Sequence, residues 1–257
     1  MSNVGGTRRH YLIWFHPISL CILSLALLLF AVPMYGQQTD VARFDAFVGY
    51  TFLDSPHVSL FENGIGGQFG VRPKTWLTVG VDYTFTRGPL TLTPNLLLPS
   101  LQQTLGAELQ QLGAAGVPIP ATILIPAHSV TQTIAAGPEL VYRHMTHVTI
   151  FFRPLFLGMI HEAATPKPDP TVPVEGYIVQ GFQSLGLVPA SGVKTDNVLF
   201  FGFGGGFDVL MNRHFAWRTQ ADMVYDHLFN DLLKDGRLTA RFSTGPCFNF
   251  GKNIAEK

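Results

Sequence analysis

Thr78, Gly80, Asp82, Thr84 and Thr86 alternate with Leu77, Val79, Val81, Tyr83 and Phe85, so one face is apolar and the other polar or small. Period-two alternation marks a strand lying between two different environments. The preceding segment sets Ile65, Phe69 and Val71 against Glu62, Gly64, Gly66, Gln68, Gly70 and Arg72. Before it, Ala42, Phe44, Ala46, Val48, Tyr50 and Phe52 oppose Arg43, Asp45, Gly49 and Thr51, with Phe47 the one exception. Five more strands follow, at about 131–143, 148–161, 197–212, 215–226 and 237–251. The fourth turns Ile134, Ala136, Leu140 and Tyr142 away from Glu139 and Arg143. The fifth is the least regular: it groups Val148, Ile150, Phe152, Phe156 and Ile160 against Thr149 and Arg153, while Phe151 and Leu155 share the face of Arg153. The sixth sets five apolar residues from Leu199 to Val209 against Gly202, Gly204, Gly206 and Asp208. The seventh opposes Trp217, Met223 and Tyr225 to Arg218, Gln220, Asp222 and Asp226. The last opposes Leu238, Ala240, Phe242, Phe248 and Phe250 to Arg241, Ser243, Gly245 and Asn249.

Eight strands is an even number, and the gaps between them alternate in length. Short turns are expected at 72–74, 143–147 and 212–214, and long loops at 54–61, 88–130, 162–196 and 227–236. Tight turns at one end and long loops at the other are the pattern of an outer-membrane barrel. The expected fold is therefore all-β: an eight-stranded antiparallel transmembrane β-barrel with short periplasmic turns and long extracellular loops.

Charge sharpens this picture. Only 13% of the 257 residues are charged and 47% are hydrophobic, which excludes a disordered chain. Seventeen basic residues balance seventeen acidic ones, so nothing suggests a nucleic-acid partner. Yet of nine arginines after residue 39, seven fall on the polar strand face: Arg43, Arg72, Arg143, Arg153, Arg218, Arg237 and Arg241. Asp45, Glu62, Asp82, Glu139, Asp208, Asp222 and Asp226 share that face. A charge facing lipid at mid-membrane costs roughly 2–4 kcal/mol, so these side chains are expected to point inward. An eight-stranded barrel is just wide enough for such side chains to fill. A hydrogen-bonded plug is thus expected, the alternative being a charged selectivity lining.

The first 36 residues read as a signal peptide and 37–257 as the barrel. Arg8 and Arg9 precede an apolar run at 18–32, and Gly36 marks the expected cut. An uncleaved anchor is the alternative, since residues 11–35 are long enough to span a bilayer. After cleavage one cysteine remains, Cys247, expected to face inward and to be inert. No later stretch has the 18 or more consecutive apolar residues of a membrane helix.

The closing stretch, Arg241-Phe242-Ser243-Thr244-Gly245-Pro246-Cys247-Phe248-Asn249-Phe250-Gly251, resembles the last strand of OmpA/OmpX-type barrels. Gly137-Pro138 and Gly245-Pro246 are similar to a recurrent glycine-proline of bacterial barrel domains. The resemblance covers about residues 40–252, and departs from the family in the tail 252–257, which does not end in an aromatic residue. It implies insertion into the outer membrane of a Gram-negative cell by the barrel-assembly machinery, with both chain ends in the periplasm. No periplasmic anchoring domain is expected after the barrel.

That family includes lipid-modifying and proteolytic members with catalytic groups at the outer rim. Candidates here are His57 and Ser59 near Asp54, His161 with Glu162, and His227 with Asp226. Spacing alone assigns them no geometry, and polar rim residues are the expected reading. His144 and His147 share a short turn and are expected to be solvated; no metal or cofactor is expected. The glycines at 202–206 lie in a strand, where they are expected to allow bending or close approach. The second long loop is more individual. Ser100 is placed to cap a helix over 100–112 whose Leu101, Leu105, Leu109 and Leu112 fall on one stripe. Such a stripe is expected to pack as a lid over the mouth, the alternative being contact with lipid or a hydrophobic ligand. A structural or surface-interaction protein is therefore expected, in contact with outer-membrane lipid and with an undetermined extracellular partner. The alternatives are a narrow channel for small or hydrophobic solutes and a lipid-modifying enzyme.

Overall fold

The computed structural model describes residues 38–255; the expected signal peptide, 1–36, lies outside them. Eight antiparallel strands, each bonded to the next, close into a barrel when β8 pairs with β1. They are β1 (Ala42–Ser55), β2 (Leu60–Lys74), β3 (Leu77–Leu92), β4 (Ile125–Tyr142), β5 (Val148–Pro166), β6 (Lys194–Leu210), β7 (Phe215–Asp226) and β8 (Arg237–Asn253). Helix α1 (Pro99–Ala114) lies in the second long connection and α2 (Pro173–Ser184) in the third. All eight expected strands are present.

Closure removes every sheet edge, so each strand's backbone bonds are satisfied within the protein, as a hydrocarbon solvent demands. The side chains then sort by parity. Leu199 is 78% exposed and Ile65 65% exposed, whereas Asp82, Thr84 and Thr86 on the opposite face are buried. Aromatic clusters sit toward both ends of the apolar exterior. Phe44, Phe69 and Phe250 stack at the short-turn end, and Phe52, Phe61 and Phe242 pack at the other. Phe44 and Phe52 are separated by about 26 Å along β1 at the usual rise per residue. With a strand tilt near 40° this spans roughly 20 Å of height, comparable to the ~25 Å apolar band of such barrels.

Four corrections to the sequence reading follow. The first outer connection is not long: β1 continues to Ser55, β2 begins at Leu60, and a 3-10 turn, Pro56–Val58, joins them through Ser59 in a left-handed conformation. The outer ends of β3, β4 and β5 likewise run on into the expected loops. Ser100 does not cap α1, because Pro99 already occupies the first turn and Leu98 is the flanking residue; proline's fixed φ suits that position. Helix α2 has no counterpart in the sequence reading. Its signal was there: Pro173 at the start, then Val174, Ile178 and Phe182 at steps of four, all buried.

The fourth correction concerns β5. Arg153 pairs with Gly204 of β6 but Phe156 pairs with Gly202, so Pro154 and Leu155 together oppose one residue. Proline has no N–H to give the ladder, and the extra residue is absorbed as a bulge. A bulge inverts the parity beyond it. Phe156 and Ile160 are buried inside, while Leu155, Leu157 and Met159 face outward. Strict alternation assigns the opposite faces.

The main apolar core lies toward the loop end and reaches into the barrel through Phe156 and Ile160. Leu96, Leu97 and Leu105 of the second connection pack with Val174, Ile178 and Phe182 of α2 and with Leu228, Phe229, Leu232 and Leu233 of the fourth. Backbone bonds from Leu98 N to Leu232 O (2.9 Å) and from Lys234 N to Leu96 O (3.0 Å) tie two of these connections together.

Candidate functional site

The inward side chains form three tiers, and hairpin register explains much of their pairing. Three inward residues of β7 face complementary charges on neighbouring strands: Arg218 is the direct partner of Asp208 on β6, Asp222 of Arg241 on β8, and Asp226 of Arg237 on β8. Directly opposed residues on one face are within reach of each other.

In the tier near the short turns, Arg218 donates through Nε to Asp208 Oδ1 (2.7 Å) and through Nη2 to Asp208 Oδ2 (2.9 Å), a two-pronged pairing. The same Nη2 reaches Asp45 Oδ2 at 2.9 Å, and Arg72 meets that oxygen at 3.2 Å. The Arg218 guanidinium also lies 4.8 Å from the Phe151 ring centre, a cation–π distance.

The middle tier crosses the lumen. Arg241 donates to Asp222 Oδ2 through Nε (3.1 Å) and Nη2 (2.7 Å), and to Asp82 Oδ1 through Nη1 (2.8 Å). Arg153 bridges the same two carboxylates, reaching Asp222 Oδ2 at 3.2 Å and Asp82 Oδ2 at 2.5 Å. Its Nε lies 3.7 Å from Glu139 Oε1, which also accepts from the Gln68 amide. Both guanidiniums lie near the Phe156 ring, at 4.2 and 5.2 Å. The bulge in β5 therefore supplies the ring against which the central arginines pack.

At the outer tier, Arg237 pairs with Glu162 Oε2 (2.7 Å) and Asp226 Oδ2 (3.3 Å). Ser129 donates to Glu162 (2.8 Å), while Glu62 accepts from Thr86 (2.7 Å) and Thr131 (2.9 Å). Glu162 is a lumen residue that strict alternation misses, because the bulge turns it inward. Among the described residues, eight buried carboxylates (Asp45, Glu62, Asp82, Glu139, Glu162, Asp208, Asp222 and Asp226) face five buried arginines (Arg72, Arg153, Arg218, Arg237 and Arg241).

Two expected members stand apart. Arg43 is exposed next to a register irregularity between Ala42 and Phe44, where β1 begins, and joins no ion pair among the described residues. Arg143 lies just past β4, half-buried at the mouth, bonded to neutral oxygens of Thr75, Gln38 and Thr149. Cys247 is fully buried beside Phe47 and Ala216. Inward Phe47, the exception to alternation on β1, joins that small apolar cluster, and its ring centre lies 5.9 Å from Arg218.

The glycines of β6 make room for these groups. A Cβ on Gly202 would lie 2.5 Å from the Phe156 ring, and one on Gly204 2.2 Å from Asp222 Oδ1. Gly202→Val is expected to displace the Phe156 ring and lower stability by about 1–3 kcal/mol, the usual range for overpacking. Urea unfolding in lipid vesicles checks this; unchanged stability would mean that the ring has space to retreat.

The apolar stripe of α1 faces the external core. Leu105 is 3% exposed, and Leu101, Leu109 and Leu112 are partly buried against the same cluster. The candidate rim pairs do not assemble. His57 and Ser59 are exposed and share no hydrogen bond among the described residues. His161 bonds Asn197 (2.7 Å) while Glu162 points inward; His227 bonds Tyr225 (3.0 Å) while Asp226 pairs with Arg237. No group of three or more His, Cys, Asp or Glu is placed to hold a metal among the described residues.

No family model and no curated protein matches the sequence. Among solved structures, the chain is similar to Neisserial surface protein A, at 10% identity and a TM-score of 0.48, over 80% of this chain and 96% of that one. It is also similar to Ail, the attachment invasion locus protein of Yersinia pestis (13%, 0.44, 82% and 99%), and to OprG from Pseudomonas aeruginosa (8%, 0.45, 84% and 99%). The likeness is one of fold. What decides the compartment is the barrel's own surface: a closed antiparallel sheet with an apolar exterior, aromatic clusters toward both ends and its charges inside. The chain is an eight-stranded outer-membrane β-barrel. It has the strand number and closure of the OmpA/OmpX type, and its exterior meets membrane lipid.

Proposed function

We propose that this barrel is a structural or surface-interaction protein of the outer membrane, with its lumen plugged by paired charges and its capped loops as the working surface. The observation that carries the reading is the middle tier, where Arg153 and Arg241 bridge Asp82 and Asp222 across the barrel interior. Four charges joined this way place side chains across the path that an ion would take. Purified protein in planar bilayers is expected to give no steady conductance; a stable, reproducible pore overturns the plug. The engagement of His161 and His227 by Asn197 and Tyr225 supports a non-catalytic role. The outward aromatics of β8 support delivery by the barrel-assembly machinery, and a leader at 1–36, as the sequence predicts, would fit export before insertion.

A second reading, passage of small hydrophobic solutes, is favoured by one observation. A largely apolar cavity of about 50 Å³ lies where the tops of β3, β4 and β5 meet the loops, lined by Leu90, Ile125, Phe182, Phe229 and Leu232 among others. Its lining carries a single charge, Lys194, which is paired with Asp231.

A further inference from the structure

The short-turn end of the barrel differs in charge from the rest. Eight carboxylates outnumber five arginines in the buried lumen, but at this mouth the balance reverses. A pocket of about 270 Å³ opens there, many times the ~10–15 Å³ that one water requires. Three arginines line it, Arg72, Arg143 and Arg213, together with His147 and Asn249; the one carboxylate in the lining, Asp40, is exposed to solvent.

These cations are not equivalent. Arg72 is 2% exposed and held from one side by Asp45, Asn249 and the carbonyl of Ala42, yet its Nε has no hydrogen-bond partner among the described residues. A buried N–H of a charged group left unpaired is costly, and such a group signals a missing acceptor. Arg143 carries the same signal in another form. It is half-buried, and every bond it makes goes to a neutral oxygen: Thr75 O at 3.0 Å, Gln38 Oε1 at 3.3 Å and Thr149 Oγ1 at 3.4 Å. Burial and, next, repulsion from Arg72 pull its pKa down to about 10. Two guanidiniums thus share a partly dry pocket, and the carboxylates that act on Arg143, Asp208 and Asp45, are already paired with Arg218 and Arg72. Arg213 adds a third from the turn between β6 and β7, where its Nε bonds His214 Nε2 at 2.8 Å.

We propose that this mouth is a binding site for a small phosphate-type oxyanion, seated among Arg72, Arg143 and Arg213. The forked guanidinium suits phosphate or carboxylate oxygens, and an anion there would give Arg143 a directly bonded counter-charge in place of the more distant Asp208 and Asp45. Gln38 forms the wall. Its amide donates to Thr149 Oγ1 (2.9 Å) and Met145 O (3.1 Å), so the first described residue is pinned across the mouth beside Arg143. The anion comes either from a soluble periplasmic phosphate compound or from the headgroup of an anionic lipid in the inner leaflet.

The test is calorimetric titration of the purified mature barrel with inorganic phosphate, and with sulfate as competitor. Saturable binding is expected. Arg143→Gln and Arg213→Gln should each weaken it about tenfold, the scale of a lost charge-assisted bond. Arg143→Lys should retain part of it. Both sites lie outside the strands, so the heat-dependent gel shift of the folded barrel should be unchanged in every variant. Binding reduced in phosphatidylglycerol nanodiscs but not in phosphatidylcholine ones identifies a headgroup as the natural occupant; equal binding in both identifies a soluble anion. Absence of saturable binding, or equal affinity in wild type and Arg143→Gln, overturns the proposal.

Discussion

Arg241→Met is expected to destabilise the folded barrel by roughly 3–5 kcal/mol, the cost of removing one partner from a buried ion pair. Arg241 holds Asp222 with two donors and Asp82 with a third. Without it, three buried carboxylates, Asp82, Asp222 and Glu139, have Arg153 as their one remaining arginine in that tier. Methionine fills much of the vacated volume and can still lie against Phe156, so the loss reports charge more than packing. The double variant Arg241→Met with Asp222→Asn removes the surplus carboxylate as well, and should recover part of the loss. That coupling is what a double-mutant cycle measures. Unfolding by urea in lipid vesicles, followed through the exposed Trp76 and Trp217, provides the readout. A loss below about 1 kcal/mol, the worth of an exposed pair, would mean that the lumen is hydrated and its charges screened.

The second large effect concerns the loops. Leu105→Ser combined with Ile178→Ser should open the external cap while leaving the barrel folded. The two residues sit on different helices, 3% and 2% exposed, in one apolar cluster. Removing a large buried aliphatic group costs about 2–5 kcal/mol at each site. Limited proteolysis should then cut within 93–124 and 167–193, and the resistant core should keep its heat-dependent gel shift. The exposed Gln103→Ser should change nothing. Unaltered cleavage in the double variant would show that this cluster does not hold the loops down.

Much of this architecture is legible in the residues because a membrane barrel obeys a simple rule. Each strand has lipid on one side and a filled lumen on the other, so alternation is strong wherever the ladder is regular. β3 and β7 keep that rule over most of their length, with Arg87 outward and Leu90 and Val224 inward among the exceptions. β5 does not, because Pro154 forces an extra residue into the strand, and parity after it inverts. Glu162 and Phe156 are therefore lumen residues that alternation puts on the wrong face, and no count of polar positions recovers them without locating the bulge. Individual ion pairs are legible only where hairpin register dictates them, as between Arg218 and Asp208. The contact of Arg153 with Asp82 joins non-adjacent strands and depends on closure of the sheet. Arg43 fails for a different reason: at the start of β1 the register slips, and inward parity there no longer means burial. Helix α1 is readable from its leucine stripe. Helix α2 offers the same kind of stripe, shorter and surrounded by a long apolar loop, and so escapes notice.

The placement of the apolar core has a thermal consequence. In most water-soluble domains the hydrophobic interior stabilises the whole fold, but here most of it belongs to the loops. The barrel wall is held by backbone bonds and by solvation in lipid, the lumen by ion pairs. The cap depends most on transfer of apolar surface out of water, with the large heat-capacity change that this entails. Cooling weakens that contribution. The two halves of the molecule thus have stability curves of different curvature, and the surface that faces the cell's surroundings is the one whose order follows the temperature of the water.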